Sequence, residues 1–156
     1  MSIRRLETGA GAGAGVHPGR EVAMPHRETW TASWDLPAGT RAAAAARALA
    51  REALRGQGVA DDLDDVILMV DELVTNAVVH GAGPVRLLLR RAGAQLFGEV
   101  SDTGAELPAA PLDQQVSAEG GRGLWLVAML SSDHGVRPEP YGKTVWFSRP
   151  IGPWGC

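Results

Sequence analysis

At 156 residues and 16.4 kDa, with 45% hydrophobic and 21% charged residues, the chain has the size and balance of one soluble globular domain, or one domain and a tail. A net charge of −3 gives no general electrostatic reason to expect direct nucleic-acid binding, and the single cysteine, Cys156, excludes an internal disulfide framework and a cysteine-rich zinc site. The longest strongly apolar run, Leu124 to Leu130, is far too short to span a membrane, and no charged-then-apolar segment marks a secretory signal, so a cytoplasmic location is expected.

Residues 1–27 read as a flexible N-terminal tail. Gly9 to Gly15 alternates glycine with alanine, and His17-Pro18-Gly19 and Met24-Pro25-His26 follow. Such a stretch cannot bury a core, and with no strand before it and no helix after it, it is not a dinucleotide loop. The folded domain is expected over 28–150, with 151–156 a short C-terminal tail. Thr29 to Leu36 suits a strand, stopped by Pro37. Thr40 is the expected cap of a helix from Arg41 to about Arg55. A second helix starts at Asp61 or Asp62, runs to about His80 and is closed by Gly81. The acids Asp61, Asp62, Asp64 and Asp65 at its start suit the positive helix end better than a metal site.

Past Gly83-Pro84 the pattern changes to period two. Val85 to Arg90 is one strand, Gly93-Ala94 a turn and Gln95 to Asp102 the returning strand of a hairpin. Residues 103–120 carry no period and read as a long loop, which inside a compact domain is usually functional. A third helix runs from Gly121 to about Ser132. His134 to Pro138 and Thr144 to Arg149 are strands joined at Pro140-Tyr141-Gly142. The order β-α-α-β-β-α-β-β predicts an α+β fold, a two-layer sandwich of about three helices on one face of a mainly antiparallel sheet of about five strands.

Four segments are able to carry chemistry. On the second helix, Val66, Ile67, Val70, Leu73, Val74, Ala77 and Val78 share a broad apolar face. Glu72, Asn76 and His80 form a stripe on the other side, at four-residue spacing. A carboxylate there can accept a proton from a hydroxyl nucleophile, and a carboxamide oxygen one turn on suits Mg²⁺. A plain solvated helix face has the same composition. Asp102-Thr103-Gly104 ends a strand: its carboxylate can accept from an exocyclic amine, and the glycine lets a flat ring approach, although Asp and Gly are also ordinary turn formers. Gly120-Gly121-Arg122-Gly123 opens an apolar helix, where free N–H groups can hold phosphates and Arg122 can add a charge-assisted contact. Gly142-Lys143-Thr144 looks like the end of a Walker loop. It fails that test, because Arg137 stands where the first glycine belongs and a strand follows.

Taken in order, these segments resemble the GHKL ATP-binding superfamily with its Bergerat-type fold. Within it they resemble the serine-kinase/anti-sigma-factor group of partner-switching regulators in bacteria. The resemblance covers about residues 28–149. It rests on Asp71 to His80 for the asparagine box, Asp102-Thr103-Gly104 and Gly121-Arg122-Gly123-Leu124 for the two glycine boxes, and Lys143-Thr144-Val145-Trp146 for the final threonine strand. It implies ATP and Mg²⁺ as cofactors. By its implication Asn76 holds Mg²⁺, Glu72 is the general base toward a partner serine, and Asp102 receives the adenine amine with Gly104 beneath the ring. Gly121 and Gly123 line the phosphates under a lid of residues 105–120, Arg122 lies near the terminal phosphate, and Thr144 reaches the adenine side. The first glycine box departs from the family pattern: Ala105-Glu106 stand where a second glycine is common, which implies a stiffer lid hinge.

The activity implied is that of an ATP-dependent serine protein kinase and anti-sigma factor. It would phosphorylate an antagonist protein and sequester a sigma factor, as a homodimer. Two other readings stand beside it. One is an ATP-binding protein-interaction module without kinase activity. The other is the detached ATPase domain of a histidine kinase, which lacks support because His80 ends the asparagine-box helix and no additional helical pair carries a phospho-accepting histidine.

Overall fold

The computed structural model describes residues 29–104 and 124–152 with their side chains, and residues 3–6 and 121–123 as backbone. In chain order the elements are β1 (Ile3–Leu6), β2 (Thr29–Asp35), α1 (Arg41–Leu54), α2 (Leu63–His80), β3 (Arg86–Ala92), β4 (Gln95–Asp102), α3 (Gly121–Leu130), β5 (Asp133–Glu139) and β6 (Gly142–Pro150). The strands form one antiparallel sheet in the order β1-β2-β3-β4-β6-β5. Three helices pack on it, so the molecule is the α+β sandwich that the element order implies.

The sheet has six strands where about five were expected, and the addition lies in the segment read as tail. Ile3–Leu6 pairs antiparallel with β2, Ile3 opposite Trp34 and Leu6 opposite Thr31. The physical reason is the edge. Without β1, one side of β2 would present a row of unpaired backbone groups. Residues 1–2 and 7–27, the rest of that tail, residue 28, and residues 105–120, the expected lid, lie outside the described residues.

Strand alternation builds the core. Ala32 and Trp34 on β2, Leu87 and Leu89 on β3, Leu96 and Val100 on β4, and Val145 and Phe147 on β6 are all buried beneath the helices. Helix α1 contributes Ala42, Ala46, Ala50 and Leu54 at four-residue spacing, and packs closely against α2. Its expected cap is not made: the Thr40 side chain has no capping hydrogen bond, and the turn closes through the Ala42 N–H to the Gly39 carbonyl instead. Trp125 is 40% exposed on α3.

Polar clamps hold the layers in register. Arg149 of β6 donates to Asp62 at 3.0 Å, to Asp65 at 2.8 Å and to the Leu130 carbonyl at 2.8 Å. One guanidinium thus ties β6 to the start of α2 and the end of α3, which gives two acids of the Asp61–Asp65 cluster their structural task. Arg91, fully buried, donates to the carbonyls of Gly93 and Gly152 and fastens the chain after β6 to the β3–β4 turn.

Candidate functional site

Helix α2 is held in one rotation by its buried residues Val66, Ile67, Met69, Val70, Leu73, Val74 and Ala77. That rotation leaves Glu72 and Asn76 half-buried, one turn apart, with His80 exposed at the end. Partial burial raises the Glu72 carboxyl above its ordinary value, and the adjacent charge of Asp71 raises it further. Asp71 is itself paired with Arg47 of α1. A carboxyl that takes protons more readily than an ordinary glutamate is suited to general-base work.

The C-terminal end of α2 presses on the end of β4. The Gly81 N–H donates to the Ala77 carbonyl at 2.9 Å. A Cβ on Gly81 would collide with that carbonyl and lie 2.7 Å from Asp102 Oδ2, so only glycine allows this approach. A Cβ on Gly104 would likewise lie 2.9 Å from Asp102 Oδ1. Thr103 locks the loop in place, its N–H and its hydroxyl each donating to the Ala82 carbonyl at 2.8 Å.

Asp102 stands at the centre of this arrangement, its side chain 1% exposed. Its Oδ1 accepts from the Gly104 N–H at 2.7 Å and from Lys143 Nζ at 3.0 Å. Its Oδ2 accepts no hydrogen bond among the described residues. A buried carboxylate with one oxygen to spare, flanked by two glycines where a side chain would collide, fits an exocyclic amine on a flat ring.

The neighbour of Asp102 on β6 is Lys143, not Thr144. The register sets Asp102 opposite Lys143 and Ser101 opposite Thr144. Directly paired residues share a face and successive ones alternate, so Thr144 turns away from the helices. Its hydroxyl shares a 2.8 Å hydrogen bond with Ser101 Oγ and donates to Glu139 at 3.2 Å. The hydrogen bond from Arg137 at 2.7 Å holds the Glu139 carboxyl below its usual value. Thr144, expected on the adenine side, thus pairs with Ser101, and Lys143 is the β6 residue beside Asp102, a place that the sequence reading did not give it. The signal was there in Val145 and Phe147: with both in the core, period two puts Lys143 on their side.

Gly121 and Gly123 lie in the first turn of α3, which packs against α2. The Arg122 side chain lies outside the described residues. Among the described residues no group of three or more His, Cys, Asp and Glu is placed to hold a metal ion, so the Mg²⁺ expectation rests on the Asn76 carboxamide. The structure thus brings Asp102, Gly104 and the end of the asparagine-box helix together, and leaves Thr144 on the other sheet face.

Residues 36–149 match the model of the histidine kinase-like ATPase domain family. The chain belongs to that family. Membership implies ATP binding. Among solved structures, the chain is similar to the crystal structure of the RsbU and RsbW domains of Rv1364c from Mycobacterium tuberculosis, with 21% identity and a TM-score of 0.61, over 79% of this chain and 32% of that one. This likeness is one of fold, and the chain spans about a third of that structure. A histidine kinase domain from the Erythrobacter litoralis EL346 blue-light activated histidine kinase matches at 27% identity and a TM-score of 0.43, over 57% of this chain and 44% of that one. The SiaB-SiaC complex from Pseudomonas aeruginosa matches at 16% identity and 0.49, over 76% of this chain and 89% of that one. No curated protein matches the chain. No helix among the described residues is long and apolar enough to cross a membrane.

Proposed function

We propose that the chain is an ATP-dependent serine protein kinase that phosphorylates an anti-sigma antagonist and sequesters a sigma factor in transcription control. The observation that carries the kinase reading is Glu72, a half-buried carboxyl raised by its surroundings, one turn from Asn76 on the helix whose end touches Asp102. Nucleotide binding alone needs no such base. The order of the asparagine and glycine boxes supports the serine-kinase group.

In this reading Asp102 holds the adenine amine through Oδ2, with Gly104 beneath the ring. Gly121 and Gly123 hold the phosphates with backbone N–H groups at the start of α3, and Arg122 adds charge there. Asn76 holds Mg²⁺ through its carboxamide oxygen. Bound Mg·ATP supplies the phosphoryl group. Glu72 takes the proton of the partner's serine hydroxyl, which makes that oxygen a nucleophile. The protein acts in the bacterial cytoplasm as a homodimer.

The test is incubation of the chain with ATP labelled on its terminal phosphate and the candidate antagonist proteins of the same cell. Label on a serine of one of them, absent with Glu72→Gln, is the expected result. ATP binding with no partner labelled would replace this reading with that of a binding module.

A further inference from the structure

We propose that Arg149 is a positioning residue for the phosphate end of the site: by clamping the end of α3 to the start of α2, it sets Gly121 and Gly123 level with Glu72 and Asn76. The inference goes beyond the nucleotide reading above and rests on its placement of the phosphates at the start of α3. Arg149 follows Val145 and Phe147 in the core-facing row of β6, and the register sets it opposite Leu96 of β4. Its side chain is largely withdrawn from water and spends its donors on two helices at once. Nε and Nη2 donate to Asp62 Oδ1 at 3.3 and 3.0 Å, and Nη2 donates to Asp65 Oδ2 at 2.8 Å. Nη1 donates to the Leu130 carbonyl at 2.8 Å.

The helix ends that meet at this guanidinium have opposite sign. Asp62 and Asp65 stand at the positive start of α2, and Leu130 closes the negative end of α3, so a cation between the acids and that carbonyl is favourable to both helices. Ser132 fastens the same end, its N–H and its hydroxyl donating to the Ser148 carbonyl at 2.9 and 3.0 Å. Along its length α3 buries Leu124 and Val127 in the core that it shares with α2. Apolar contact is non-directional and resists separation more than sliding. The position of α3 along its own axis is therefore set by the directional bonds at the clamp.

The clamp is a common origin for the two helices. α2 runs away from it, α3 runs toward it, and the two pack together. With a rise of about 1.5 Å per residue, Glu72 lies about 10 Å and Asn76 about 17 Å along α2 from Asp65, while Gly123 lies about 10 Å and Gly121 about 14 Å along α3 from Leu130. The two glycines thus stand beside the stretch of α2 that carries the base and the carboxamide. A helix of ten residues passes a shift of its end on to its start. The adenine contacts of the reading above, Asp102 and Gly104, belong to β4 and the loop after it, and do not depend on α3. Loss of the clamp therefore acts on the phosphates and spares the base.

The experiment measures Kd for Mg·ATP and for adenosine on the full chain, as wild type, Arg149→Met and Asp62→Ala/Asp65→Ala. The first variant removes the whole clamp. The second cuts only the tie to α2 and leaves the bond to Leu130, and it carries the test if Arg149→Met does not fold, which a thermal melt reads. Arg149→Met is expected to weaken Mg·ATP by roughly 10-fold, the low end for removing a supporting group behind a site, with adenosine unchanged within about 2-fold. The double variant is expected to show the same selective loss. A merely structural role would weaken both ligands alike. Equal losses for the two ligands, no loss for either, or a double variant that binds Mg·ATP as wild type does would overturn the role of Arg149 while the nucleotide reading stands. Wild type binding ATP with no measurable affinity for adenosine at millimolar concentration would overturn the division between strand and helix on which the inference depends. Wild type binding neither would remove both readings.

Discussion

Glu72 holds its raised carboxyl because two effects of one sign act on it, burial first and the neighbouring Asp71 charge second. The direction fixes the pH behaviour. A carboxyl raised in the native state binds its proton more tightly there than in the unfolded chain. Its contribution to stability is therefore favourable at low pH and is lost as pH rises through the native value. As a base it must be ionised, so phosphoryl transfer should fall with decreasing pH sooner than an ordinary glutamate would allow. Asp71→Asn should shift that acid limb to lower pH, which a rate profile at saturating ATP would read. Glu72→Gln at neutral pH should lower transfer by about 10²–10⁴-fold while leaving ATP affinity and the melting temperature undiminished. A variant that lost its melting temperature in step with its activity would mark Glu72 as structural. Gly81 carries the complementary case. Gly81→Ala places a Cβ against the Ala77 carbonyl and the Asp102 carboxylate together. Both stability, by about 1–3 kcal/mol, and ATP affinity should fall, as denaturant titration and calorimetry would measure.

Among the elements, α1 shows how small residues set a distance. Ala42, Ala46 and Ala50 are fully buried toward α2, the helix that carries the site. Ala46→Leu would push the two helices apart at a cost of about 1–3 kcal/mol, with ATP affinity falling as α2 shifts. Arg51→Ala should change little, since its partner Asp64 is 93% exposed and such pairs contribute about 0–1 kcal/mol. The long periodic elements were legible in the sequence to within one or two residues, because the heptad-like apolar run of α2 and the alternation in β3 and β4 each repeat several times. The four residues of β1 repeat their alternation too few times to be read, and that strand exists because the edge of β2 accepts it. In the candidate site, the places of Asp102 at a strand end and of Glu72 and Asn76 on one helix were legible from local motifs. The place of Lys143 was not, because it depends on the register of β4 against β6, and no local motif states a register. Deleting residues 1–6 should therefore cost about 1–2 kcal/mol, as the backbone bonds to β2 are lost. An unchanged urea midpoint would show that β2 needs no such cover.

At the scale of the whole molecule, the proposed site draws on elements distant in sequence. Gly81 follows the last residue of α2, Asp102 ends β4, Lys143 is the second residue of β6 and Gly121 begins α3. None of these groups is in place in the unfolded chain, so a ligand that needs them together binds the native state alone. Mass action then gives the size of the effect. Mg·ATP at about a hundred times its Kd should stabilise the fold by about 2.7 kcal/mol. For a chain of this size that corresponds to about 2–4 °C of melting temperature for each kcal/mol. The contributions of single groups separate in the same measurement. Asn76→Ala should shrink the shift when Mg²⁺ is present and leave it nearly unchanged with ATP and a chelator, since the lost contact is to the metal. Asp102→Asn should shrink it in both conditions, because the lost contact is to the base. A melting curve indifferent to ATP at millimolar concentration, or an Asn76→Ala deficit that persists without Mg²⁺, would place the nucleotide's contacts elsewhere than on this helix and strand pair.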